Sequence, residues 1–209
     1  MPVTELAILQ LRGGHDDLEF LETLMECQEL QDEWIHNNQP HNLEPNANLS
    51  SMYVEESDPP SLLITAPWDT PEAHGEWIRS GENQSCNGML SEHIKPGCDT
   101  VLLFHMAPAG ERAQMRTAFG TQPFFNLCRI SVRPDERESL QQAYGDLEDS
   151  LPTDATGERR LWAGWRIEKQ PCEDDELVVF WTDDIAYERV LPLMRFSDRT
   201  LRRRFKQVA

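Results

Sequence analysis

The chain is poor in positive charge. It has 19 lysines and arginines against 37 aspartates and glutamates, a formal net charge of −18. Such a surface repels phosphate backbones and anionic lipid, so neither nucleic acid nor membrane is expected as a partner. No run approaches the roughly 18 apolar residues of a membrane-spanning helix. The stretch from Met1 to Leu11 lacks a basic segment followed by an apolar one, so a soluble, cytoplasmic protein is expected. No phosphate-cradling or dinucleotide glycine pattern, G-x-S-x-G or zinc-ligand spacing is present, which removes the commoner nucleotide, hydrolase and zinc readings. Five cysteines, an odd number without a C-x-x-C, fit reduced thiols better than a disulfide framework. Cys27 and Cys128 fall in apolar-patterned segments and read as small buried hydrophobes. Neither metal nor cofactor is expected.

The chain does have enough apolar content, 39% with six Trp and eight Phe, for a substantial core. It also has an internal echo. Ser51 to Glu55 aligns without a gap on Gly164 to Glu168, 113 positions later, and at the same offset Trp68 meets Trp181 and Ala73 meets Ala186. Both copies follow an extended run, helix, two extended runs, helix and closing run, a βαββαβ unit whose apolar sheet face needs a partner that its twin can supply.

Along the chain, Glu5 to Leu11 reads as a strand ended by Gly13-Gly14. Asp16 with Glu19 opens a long helix to about Asn37, and Leu49 to Glu55 with Leu62 to Trp68 forms an antiparallel pair turned by Asp58-Pro59-Pro60-Ser61. Asp69-Thr70-Pro71-Glu72 starts a second helix. Gly81 to Gly88 reads as irregular, Met89 to Ile94 as a short helix, and Thr100 to Met106 as a buried strand. The halves are placed at 1–107 and 123–209, joined by a linker at 108–122. In the second, Phe124 to Val132 is a strand, Leu140, Ala143, Tyr144, Leu147 and Leu151 mark a helix, and Leu161 to Ile167 with Leu177 to Trp181 is the hairpin. Asp183 or Asp184 is expected to cap a helix that Pro192 ends or kinks, with the closing strand near Leu201. The first half carries about a dozen extra residues within roughly Ser80 to Cys98, a candidate cavity wall or lid.

The run from Glu5 to Met106, through Trp68, Ala73, His74, Trp77 and the Phe104-His105 pair, resembles the antibiotic biosynthesis monooxygenase type of the dimeric α+β barrel superfamily, in a tandem form like those of filamentous fungi. The second half resembles it more faintly, with Tyr187 where the first has His74. The resemblance implies two ferredoxin-like halves packed as an α+β barrel. It leaves the activity open among oxygenases that use no metal or flavin, haem-degrading enzymes, polyketide cyclases and proteins without a reaction. The haem-degrading branch expects a His about ten residues after the hairpin Trp and an Asn in the first strand. Here Ile78 and Gln10 stand instead.

His74 and His105 are the candidate catalytic residues, and Trp68, Trp77 and His93 the candidate substrate-binding ones. An imidazole titrating near pH 6.5 suits proton removal from an acidic phenol or enol, and paired indoles suit a flat ligand. The plainer alternatives are a helix-start His74, a core His105, a surface His93 and Trp residues that fill the core. His105 is a pocket group if it faces into the barrel and a hydrogen-bonded core group if it faces the helices. His15, His36 and His41 read as loop or helix-end residues, and His36 and His41 with Glu33 give no metal face. Trp162 and Trp165 face opposite ways. The basic C-terminus from Arg195 to Lys206 reads as a charge-protected edge strand or, alternatively, as a tail binding an acidic partner, and the acidic Glu173 to Glu176 as a turn that could pair with it.

The expected function is a cofactor-independent monooxygenase-like enzyme of secondary metabolism acting on an aromatic or polyketide-like small molecule, working in a hollow between the halves. A cyclase or other proton-transfer catalyst using the same pocket, and a non-catalytic binding or assembly module, are the alternatives. A homodimer remains open.

Overall fold

The alternation of the first strand sorts its side chains onto two surfaces. Along β1 (Val3–Gln10), Leu6 and Ile8 join one apolar cluster while Val3 and Leu9 join another. The computed structural model describes residues 1–13, 17–39, 50–110, 124–152, 160–170, 173–197 and 200–208. After β1 come α1 (Leu18–Asn38), β2 (Ser51–Glu55), β3 (Ser61–Trp68), α2 (Pro71–Arg79), α3 (Gly81–Leu90) and β4 (Val101–Pro108). The second half runs β5 (Phe124–Val132), α4 (Arg137–Ser150), β6 (Leu161–Arg166), β7 (Asp175–Thr182), α5 (Tyr187–Met194) and β8 (Thr200–Gln207). Among the described residues no helix is long and apolar enough to cross a membrane.

The strands close into an antiparallel barrel in the order β1-β3-β2-β8-β5-β7-β6-β4. Each half contributes a ferredoxin-like sheet, β4-β1-β3-β2 and β6-β7-β5-β8, and the seams are β2 on β8 and β4 on β6. The echo in the sequence is a register: Ser51 pairs Thr65 and Met52 pairs Ile64, and 113 positions on Gly164 pairs Val178 and Trp165 pairs Leu177.

The middle of the barrel is packed with rings, while at one end a cavity of about 350 Å³, lined by Ile8, Gln10, Leu102, Arg129 and Arg203, opens between the halves, away from the histidines and tryptophans expected to line it. Leu6, Tyr53, Phe104, Phe125, Trp162 and Phe180 are among the side chains that pack the middle, with Phe125 edge-on to Tyr53 at 4.6 Å and stacked on Phe205 at 5.6 Å. The helices lie outside. α1, α2 and α3 cover the first sheet and α4 and α5 the second, each over its own apolar cluster.

Other expectations are corrected by the same closure. The C-terminal segment is not an edge, because β8 is paired on both sides, and its arginines are engaged along the seam. Arg203 reaches Glu55, and Arg204 reaches Glu56 and Asp183. The acidic turn does not pair with that segment: Asp175 takes Arg137 and Lys169, while Glu176 takes Arg129 and Arg166. Gly81 to Gly88 is helical, since Ser80 caps α3 by accepting the Asn83 N–H (3.1 Å), and Cys86 and Leu90, four apart, bury one face. Asp17 caps α1, Asp16 lying outside the described residues. α5 starts after both aspartates expected to cap it, which bond to Arg204 and Arg160 instead. Most of the linker, along with His15 and His41, also falls outside the described residues.

Candidate active site

Four charged or titratable side chains form one file across the first half and into the second. Glu5 sits on β1 facing the helices, among carbon-rich neighbours, with its side chain 7% exposed. α2 begins at the N-cap Thr70, whose hydroxyl accepts the Ala73 N–H (3.2 Å), and Pro71 fits the first helical turn, where an N–H has no partner to lose. This start places His74 one turn in, over the sheet. Its ring stacks on Trp68, centroids 4.6 Å apart and planes within 17°. His74 Nε2 lies 3.3 Å from Glu5 Oε2, and its Nδ1 lies 2.8 Å from His105 Nε2. His105 on β4 faces the helix side, the second of the two orientations the sequence left open. Its Nδ1 lies 2.5 Å from Glu168 Oε1, and its backbone N–H donates to Glu168 Oε2 at 2.8 Å. Glu168 follows β6, so the second half completes the file across the β4–β6 seam, where Ile167 N–H donates to His105 O.

Burial sets the charge states. Glu5 is pushed up to about 7, chiefly by loss of water around its carboxylate and only partly opposed by hydrogen bonds from Trp68 Nε1 (2.9 Å) and Gln31 Nε2 (3.5 Å). His74 is pulled down to about 3, first by burial and then by charge on His105. Burial would raise Glu168, but the hydrogen bonds from the His105 backbone and ring outweigh it and hold the carboxyl below its usual range. The Glu5–His74 contact is therefore not an ion pair between pH 3 and 7; it joins two neutral groups. With Glu168 anionic and both imidazoles neutral, His105 Nδ1–H donates to Glu168 and His105 Nε2 accepts from His74 Nδ1–H. His74 Nε2 is then left to accept from the Glu5 carboxyl.

Glu5 and His74 border a cavity of about 190 Å³ between the first sheet and its helices. Trp77, Cys86, Asn87 and Leu90 form much of the helix side, with Leu103 on the sheet side. Val101, Leu103 and Ile78 are 45%, 43% and 42% exposed, so the rim toward solvent is apolar. Among the described residues the hydrogen bonds to the Glu5 side chain fall on Oε2, and the same carboxyl lines the cavity. α3 is the extra segment of the first half, and it is a wall. Cys27 and Cys86 join it to α1, each thiol 3.9 Å from the other's carbonyl oxygen.

The structure thus brings His74, His105 and Trp68 together and sets Trp77 in the cavity wall. Trp68 is not itself part of the wall; it backs His74 and holds Glu5. His93 is elsewhere, packed on Phe20 with centroids 5.0 Å apart, because the turn after α3 carries it toward the start of α1. Sequence reasoning missed Glu5, Gln31 and Glu168. Glu5 stood as the one acid in an apolar run, the signal that could have found it, whereas Glu168 was visible only as the repeat mate of Glu55. Among the described residues no group of three or more His, Cys, Asp or Glu is arranged to hold a metal ion.

The second half does not repeat the file. By register, Cys128 stands where the first half has Glu5 and Arg202 where it has His105, with Tyr187 at the place of His74. Arg202 lies over the Tyr187 ring at 4.6 Å and bonds to Asn126.

No family model and no curated protein matches the chain. Solved structures do. A "putative monooxygenase" from Fusobacterium nucleatum matches over 100% of this chain and 93% of its own, with a TM-score of 0.59 at 8% identity. An anthrone oxidase-like protein matches over 100% and 92%, with a TM-score of 0.57 at 11% identity. A chlorite dismutase from Candidatus Nitrospira defluvii matches over 99% and 92%, with a TM-score of 0.52 at 13% identity. At these identities the likeness is one of fold. The protein has the ferredoxin-like α+β barrel, here with both halves in one chain, and the fold is shared by proteins named for different activities.

Proposed function

We propose that the chain is an antibiotic biosynthesis monooxygenase-type enzyme that works without a cofactor on an aromatic or polyketide-like small molecule of secondary metabolism. The observation that carries this reading is a carboxyl poised near neutrality, Glu5, facing a mostly apolar cavity and backed by a neutral imidazole. A base whose proton affinity matches the working pH is well suited to proton transfer.

Glu5 carboxylate takes a proton from an acidic C–H or O–H of the bound phenol or enol, and the anion's charge spreads over the aromatic system. At a CH2 carbon, the electron pair then forms a C–O bond to dioxygen, which is reduced to the peroxide level. The peroxide takes back the proton from Glu5, and loss of the remaining C–H proton with O–O cleavage gives a ketone and one water. His74 holds and orients the Glu5 carboxyl, and Trp77 supplies a flat wall for the ring system.

Anthrone is a suitable probe because it carries such a CH2 beside two aromatic rings. Oxygen uptake should accompany anthraquinone formation and rise with pH as Glu5 ionises around pH 7. Glu5→Gln should lower turnover on the order of a hundredfold or more. Turnover of anthrone and of a set of acidic phenols that is unchanged in Glu5→Gln would end the proposal. Products formed without oxygen uptake would favour the cyclase reading, and binding without turnover the non-catalytic one.

A further inference from the structure

We propose that Glu168, supplied by the second half of the chain, is a positioning residue for Glu5 and the outer end of a proton relay, with His105 and His74 linking that surface carboxylate to the cavity. The links are 3.3, 2.8 and 2.5 Å long from Glu5 to His74 to His105 to Glu168, without a gap that needs a water. The side chains of Glu5, His74 and His105 are 7%, 2% and 10% exposed and that of Glu168 is 45% exposed, so the chain starts beside the cavity and ends in solvent.

The hydrogen-bond directions make the file an ordered wire. With both imidazoles neutral each bond points outward: Glu5 O–H to His74 Nε2, His74 Nδ1–H to His105 Nε2, His105 Nδ1–H to Glu168. One concerted shift moves three protons by one bond each. Glu5 becomes a carboxylate, both imidazoles exchange tautomer and stay neutral, and the proton arrives on Glu168, which water can reach. No bond other than N–H and O–H changes and no oxidant enters. If Glu5 is the base proposed above, this route lets it gain or lose its proton while a substrate fills the cavity mouth.

Other titratable groups around the file are the Cys27 and Cys86 thiols on α1 and α3, and Glu72, an exposed carboxylate in the first turn of α2. None of these bridges the four links. The anion at position 168 fixes the direction of every bond and thereby favours Glu5 in its protonated form. A neutral amide there can donate to His105 Nδ1, which reverses the wire and ends it on a Glu5 carboxylate accepting from His74.

Glu168→Gln should therefore lower the Glu5 pKa by about one unit, a tenfold loss of proton affinity. The carboxyl carbon-13 resonance of Glu5, assigned by its absence in Glu5→Gln and followed from about pH 5 to pH 9, reads this without any substrate. An unshifted Glu5 titration in Glu168→Gln would overturn the proposal. In a His105→Phe background, or a His74→Phe background if the first does not fold, the effect of Glu168→Gln should vanish; an undiminished shift there would mean plain through-space charge and would equally overturn it. A coupled titration in a protein that turns over nothing would refute the catalytic reading and leave the relay standing. Turnover without coupling would do the reverse.

Discussion

Glu5 and His74 touch, yet burial has moved them in opposite senses, and their linkage to stability differs in sign. His74 ordinarily titrates at 6.5 and here at about 3, so as pH falls from 6.5 the unfolded chain gains a proton that the folded one refuses, and stability is lost toward pH 3. Glu5 ordinarily titrates at 4.5 and here at about 7, so its contribution is full below pH 4.5 and is lost as pH rises through 7. Between 4.5 and 6.5 the two slopes oppose each other. His74→Phe should remove one of them, so that across this window the variant's stability falls more steeply with rising pH than the wild type's, by up to about 1.4 kcal/mol per pH unit. Urea unfolding at about pH 5 and pH 6 measures this, and parallel profiles would mean that His74 is not kept neutral. Little of this was legible in the sequence. An acid among apolar residues reads as the wet side of a half-buried strand, and only the overlying α1 and α2 turn that side into an interior.

Ser80 shows how much at the level of elements rests on single residues. Its backbone N–H closes α2 on Trp77 O (2.9 Å) while its hydroxyl caps α3, so one residue sets the angle between the helix carrying His74 and the helix walling the cavity. Ser80→Ala should cost about 1 kcal/mol and loosen α3. The expected signature is a lower melting temperature together with weaker anthrone binding, and an unchanged affinity would show that α3 does not shape the cavity. The strands and the long helix were readable because β2, β3 and β5 carry short apolar runs between turn residues and α1 keeps helical spacing across Phe20, Leu24, Cys27 and Ile35. α3 was not, since Gly81, Glu82, Asn83, Gln84 and Ser85 dilute the pattern and only Cys86 and Leu90 are buried. The face of His105 was equally undetermined: alternation names two sides of β4, and which one meets the helices is decided by barrel closure.

For the molecule as a whole, closure is what makes two small sheets stable. Each half alone would expose one face of Leu6, Tyr53, Phe104 and their neighbours, or of Phe125, Trp162 and Phe180, and would leave two unpaired edges, β2 and β4 or β6 and β8. Residues 1–108 expressed alone should therefore associate with a second copy, giving concentration-dependent dimers or insoluble protein in light scattering. A stable monomer would contradict this account. The repeated hairpin register was legible from the paired Trp68 and Trp181. That the cavity beside His74 lies outside the barrel was not, because the side of β1 and β4 that meets the helices is settled only when the two halves close.

The seam between β4 and β6 has a practical consequence. It carries Glu168 to His105, so a side chain in the half without the cavity bears on the acid inside it. A laboratory-evolution library confined to cavity-lining positions could change the pH response only by replacing Glu5 or His74 themselves. A handful of codons just past β6, remote from any bound molecule, would be the place to tune it.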